Sequence, residues 1–224
     1  MRAPIRLLML GLLVLLLAAP TLRAQDLSKY RGFSLGTDLA SVLKLTSREA
    51  ADVTVTHAAP TLFQELSWWP PSLVEPSSSL NNVQQILFSF YDGELYKMSV
   101  VYDQASTEGL TAEDMVKSIS AEYGPPTVVT SSADASPGRY DPKQKPLATW
   151  EDSRYSFNLI RSSFSDRFGL VIYSKSLDAK AQVAVVEAVK LEEQQGPQKE
   201  AERQKKQMDD LEAVRKKNQK TFRP

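Results

Sequence analysis

Hydrophobic and polar positions change their period along this chain, and each change marks an element. Leu35-Gly36-Thr37-Asp38-Leu39-Ala40-Ser41-Val42-Leu43 predicts a helix start. Thr37 or Asp38 can cap it, and Leu39, Val42 and Leu43 share one face. Val53 to Thr56 is β-branched and predicts a short strand. Leu62 to Trp69 predicts another, stopped by Pro70-Pro71. Residues 71–82 are rich in Pro, Ser and Asn and read as a loop.

The strongest local signal runs from Gln85 to Tyr102, where Asp92-Gly93 separates two aromatic and β-branched runs. Asp and Gly tolerate the positive φ of a two-residue hairpin turn, so this stretch predicts a hairpin. Strict alternation sets Phe90 opposite Leu95 and Leu87 opposite Met98. One face then carries Ile86, Phe88, Phe90, Leu95 and Val101. The other carries Leu87, Tyr91, Tyr96, Met98, Val100 and Tyr102. A helix layer is expected on the first face. The tyrosine-rich second face is expected to be partly wet, since Tyr offers an apolar body and a polar tip.

Thr111 to Tyr123 predicts a helix with a capping box (Thr111, Asp114) and a buried stripe of Met115, Val116 and Ile119. Gly124-Pro125-Pro126 ends it. Residues 131–146 read as a loop. Thr149 to Ile160 and Phe168 to Ser174 predict two more strands, linked by residues 162–167. The order helix–strands–helix–strands, with a Trp-bearing strand in each part, hints at an internal repeat. Leu177 to Leu191 predicts a helix that docks through Leu177, Ala181, Val185 and Ala188, broken at Gly196-Pro197. Beyond it, residues 198–224 hold nine Lys/Arg against five Asp/Glu. They are good helix formers, but an isolated helix of that length is marginal in water.

The N-terminus adds a destination. Arg2 and Arg6 precede an unbroken apolar run, Leu7 to Ala19, and Leu22-Arg23-Ala24 offers a cleavage site before Gln25. This reads as a secretory signal, shorter than the ~20 residues a bilayer span needs. The expected location is the periplasm or outside, with cleavage near Ala24; the alternative is an uncleaved inner-membrane signal anchor. The 224 residues hold 27 Lys+Arg, 27 Asp+Glu, one His and no Cys. Removing residues 1–24 takes three Arg and no acid, which leaves a net charge of −3. That balance argues against a nucleic-acid partner, which needs a basic footprint. The lack of Cys excludes thiol catalysis, Cys-ligated metals and disulfide stapling.

Catalytic patterns are scarce. His57 is the sole imidazole and reads as a strand-end residue beside Val53-Thr54-Val55-Thr56. Nucleophile-elbow, phosphate-loop, zinc-helix and EF-hand patterns are all missing. Glu151-Asp152 on a strand would point to opposite faces. A hydrolase built from distant carboxylates is the alternative enzyme reading, and no cofactor or metal is expected. Trp68-Trp69 is the most unusual apolar pair: on a strand one packs inward and the other outward. An outward Trp69 can join the tyrosine face as a binding surface, since exposed Trp and Tyr are favoured anchors. The candidate partner-binding face is therefore Trp69, Tyr91, Tyr96, Met98 and Tyr102, with Arg154 and Arg161 as possible rim charges. The basic end (Arg215, Lys216, Lys217, Lys220, Arg223) offers only weak attraction to anionic lipid or envelope polymer.

Phe33-Ser34-Leu35-Gly36-Thr37, the following short helix, and the Phe90-Tyr91-Asp92-Gly93 turn together resemble the small envelope domain of the SmpA/OmlA outer-membrane assembly lipoproteins. The β-lactamase inhibitor proteins carry the same architecture in tandem. The local match covers residues 32–43 and 87–95. The chain departs from the lipoprotein pattern in having no lipidation Cys and roughly twice the length. Thr107 to Met115 and Gln198 to Arg203 resemble exported bacterial proteins of unknown function, a likeness that implies no activity.

These readings combine into one expectation. Residues 1–24 are a signal peptide. Residues 25–195 form an α+β domain of two similar helix-plus-antiparallel-sheet halves (30–104 and 105–176) and a docked helix (177–195). Residues 196–224 are a charged tail, flexible or helical. The expected role is a non-enzymatic interaction module whose partner is another envelope protein; the sequence does not set the oligomeric state.

Overall fold

The computed structural model describes residues 26–71, 82–130, 145–161 and 167–223. The leader, residues 72–81 and 131–144 of the two expected loops, and residues 162–166 of the link lie outside the described residues. Asp38 caps the first helix, α1 (Leu39–Thr46), its carboxylate accepting from the Ser41 amide at 2.9 Å and the Ser41 hydroxyl at 2.7 Å. Those donors hold the Asp38 pKa below its usual value. Thr111 and Asp114 form the capping box of the longer helix, α3 (Ala112–Tyr123), and Gly124 closes it at φ 74°. A one-turn helix, α2 (Gln104–Thr107), precedes it.

Among the described residues, ten strands follow the β-branched and aromatic runs. A two-residue pair, β1 (Lys29–Tyr30) and β2 (Phe33–Ser34), stands apart. The first half of the chain supplies β3 (Val53–His57), β4 (Phe63–Trp68), β5 (Val83–Tyr91) and β6 (Glu94–Tyr102). The second supplies β7 (Val128–Val129), β8 (Ala148–Glu151), β9 (Tyr155–Arg161) and β10 (Phe168–Ser174). They form one antiparallel sheet in the order β3-β4-β5-β6-β10-β9-β8-β7. Each half is thus a helix followed by a four-strand meander, and the last strands of the two meet at the centre, with Met98 opposite Ile172 and Val100 opposite Leu170. The fold is α+β.

One hydrophobic cluster runs through both halves. Val42 of α1 and Leu66, Phe88, Phe90, Leu95 and Met98 of the first sheet half are continuous with Met115 and Ile119 of α3. Trp150, Phe157, Leu159 and Ile172 complete the cluster in the second half. Trp150 donates its Nε1–H to the Gly124 carbonyl at 2.9 Å, tying β8 to the end of α3. The Phe33–Thr37 stretch touches the β5–β6 hairpin. The Gly36 amide donates to Leu95 O at 2.8 Å, and the Leu95 amide to Thr37 O at 2.9 Å.

Three expectations are corrected. The Asp92-Gly93 turn and the Phe90–Leu95 pair are as expected, but Leu87 faces Ser99 and Phe88 faces Met98. A bulge at Tyr96 adds one residue to β6, and one extra residue reverses every side chain beyond it. Met98, Val100 and Tyr102 therefore join the core face, and Val101 leaves it. Residues 149–160 are two strands, because Asp152 Oδ1 accepts from the amides of Arg154 (2.6 Å) and Tyr155 (2.7 Å) and folds a turn there. The last helix, α4 (Lys175–Thr221), runs through Pro197 without ending. Proline removes one backbone donor, at a cost of about 3 kcal/mol, yet the Glu-, Gln-, Lys- and Ala-rich flanks carry the helix past it.

Candidate functional site

The second sheet face belongs to α4. Its first turn is pinned to the β8–β9 turn: Lys175 Nζ lies 2.6 Å from Glu151 Oε2 and 2.8 Å from the Asp152 carbonyl. Ala181 and Ala184 then pack on Phe63, Tyr91 and Tyr96, and Ala188 is fully buried. Small side chains on this stripe let the helix approach the sheet closely. Further along, Glu192 Oε1 meets His57 Nδ1 at 3.0 Å, at the end of β3. The helix is a strap from the second half to the outer strand of the first. His57 is a strand-end residue, stacked edge-on against Phe63 with ring centroids 5.7 Å apart.

This arrangement divides the expected binding face. Met98 and Tyr102 are buried in the core on the opposite side of the sheet. Tyr91 and Tyr96 lie beneath α4. Burial there, with Asp178 and Glu65 adding repulsion, pushes the Tyr96 pKa up to about 12. Only Trp69 presents a broad surface, at 51% exposure, while Trp68 is buried beside Phe33 and Phe88. Trp69 follows the end of β4 that pairs with Ile86, and Tyr91 pairs with Phe63 at the other end. Six strand residues separate the two ends, about 20 Å at 3.4 Å per residue. The five residues therefore do not form one surface. Arg161 lies over the Phe168 ring and Arg154 over the Tyr155 ring, both on the second half.

Two other groupings bring polar side chains together. Tyr30, Tyr102 and Tyr123 gather near Arg31, whose Nη2 donates to Asn82 Oδ1 at 2.6 Å. Burial is the largest cause raising all three tyrosine pKa values. A cleft of about 210 Å³ is lined by Ala112, Val116, Val129 and Leu147, with Glu113 and Lys117 at its rim. Among the described residues, Glu113 is the acid at this cleft. Among the described residues, no group of three or more His, Asp or Glu is placed to hold a metal.

The tail, left flexible or helical by the sequence, is a helical arm. Beyond the last packed residues, α4 continues from 196 to 221 as a bare helix, about 39 Å long at 1.5 Å per residue. Every described side chain from Glu200 onward is exposed. Met208, Leu211 and Phe222 are each more than two-thirds exposed. At 100° per residue they share one side of the helix with Ala201 and with the exposed Val183 and Val186. This side is opposite Ala181 and Ala188, which dock. The spacing of Met208, Leu211 and Phe222 was a readable signal, hidden by the charge density around it. No described helix is long and apolar enough to cross a membrane. No family model, curated protein or solved structure matches this chain.

Proposed function

We propose that this chain is an exported cell-envelope protein that acts as a non-enzymatic interaction module, with the α4 arm as its working element. The observation that carries the reading is the arm itself: a long helical extension that buries nothing and exposes Met208, Leu211 and Phe222 on one side. Such a helix gains little stability alone in water, and it matches the amphipathic element that docks in a groove or pairs with another helix. The strap geometry supports it too, since α4 is anchored at both halves before it projects. Export rests on the leader at residues 1–24, and the module needs no cofactor.

The test is capture from native envelope after cross-linking, with the full chain and a chain ending at Gln195 as paired baits. The expected result is one specific protein recovered in stoichiometric amount by the longer bait and lost with the shorter. Equal recovery by both would move the site to the folded body, where Trp69→Ala is the next variant. Recovery of nothing by either, the chain's own native copy included, would overturn the reading.

A further inference from the structure

The arm's exposed stripe has a self-complementary pattern. This inference rests on the reading of the arm as the working element, and it names the occupant. We propose that two copies of the chain associate through their arms, side by side and antiparallel, with Met208 of each packed on Leu211 of the other.

Along residues 197–222 the stripe follows a heptad seam: Ala201, Met208, Arg215 and Phe222 alternate with Pro197, Gln204, Leu211 and Asn218. A parallel pair would set Arg215 against Arg215 in that seam. An antiparallel pair centred between Met208 and Leu211 sets Arg215 against the partner's Gln204 instead. It also sets Ala201 against the partner's Asn218. The flanking charges select the same register. Lys205 falls beside the partner's Glu212, and the two-fold axis makes the pair twice. Sliding by one heptad in either direction would bring Lys205 onto Lys205 or Glu212 onto Glu212.

Length agrees as well. In this register the partner's Phe222 reaches Pro197, close to where the arm leaves the body. The whole arm is used, and the arm tip stops short of the docked segment that ends near Glu192. The seam lies on the side of the helix away from Ala181 and Ala188, so pairing does not compete with docking.

Sedimentation velocity of the purified full chain over a wide concentration range tests the association. The expected result is a monomer–dimer equilibrium that Leu211→Asp abolishes. Lys205→Glu should weaken it roughly tenfold, because two attractive pairs become repulsive. The double variant Lys205→Glu/Glu212→Lys should restore it, which a folding defect would not. The chain contains no Cys, so Ala213→Cys and Lys220→Cys each give a single spin-label site. Antiparallel pairing offsets the two labels along the axis by about 10 Å at position 213 and about 32 Å at position 220, at 1.5 Å per residue. Equal, short separations at both positions would indicate parallel pairing and overturn the proposal. So would a chain that remains monomeric at every concentration, including one that binds anionic vesicles. A dimer that survives in the chain ending at Gln195 would place the contact on the body and also overturn it. A monomer that still captures a different envelope protein through the arm would remove self-pairing and leave the interaction reading standing.

Discussion

Gly169 sits in the central strand where the two halves join, and a Cβ there would lie 2.8 Å from the Val100 carbonyl of the neighbouring strand. Backbone cannot yield as a side-chain tip does. Gly169→Ala should therefore cost about 1–3 kcal/mol, read as a lower urea midpoint at unchanged slope. Tyr96 makes a pH prediction. Its folded pKa is raised to about 12 from an ordinary value of 10.0, so the unfolded chain ionises first. Stability from this group is full below pH 10 and is lost as the pH climbs towards 12. Tyr96→Phe should flatten that alkaline decline without removing it, because burial shifts Tyr30, Tyr102 and Tyr123 in the same direction. Urea midpoints between pH 9 and 12 would show it. A decline of equal steepness in the variant would mean that Tyr96 is not held under α4.

At the scale of elements, what was legible depended on whether the signal was local. Thr111 and Asp114 lie three residues apart and speak only to each other, so the α3 cap was readable. Asp92-Gly93 was readable because a type of turn demands positive φ at both positions, here 52° and 81°. The bulge at Tyr96 was not readable, since it is settled between β5 and β6 across the sheet rather than along either strand. That one residue moved Met98 and Tyr102 from the expected binding face into the core. Pro197 misled in the other direction: its local rule says stop, and the sum of its neighbours says continue. Pro197→Ala should restore the missing backbone hydrogen bond and raise the helical circular dichroism signal. It should leave the unfolding of the body unchanged within about 0.5 kcal/mol, as expected of a site without contacts to the core.

At the scale of the whole molecule, the two halves share one core across the β6–β10 contact, although each has its own helix and meander. They are expected to unfold together. Ile172 is fully buried and faces Met98 of the first half and Phe157 of the second. Ile172→Ala should cost about 2–5 kcal/mol and lower amide-exchange protection in both meanders together. Loss of protection confined to residues 145–174 would show that the halves are separate cooperative units.

The strand order also sets a schedule. Each meander begins at an outer edge of the sheet and ends at the centre, so the central contact joins the last strand of each half. As the chain is made from its N-terminus, β6 is finished long before its second neighbour, β10, exists. During that interval one side of β6 is an open row of backbone donors and acceptors, the template on which foreign strands add. The vulnerable interval in the life of this protein is thus the synthesis of its second half. It closes when Phe168–Ser174 emerge, and the very next residue, Lys175, begins the strap that locks the seam.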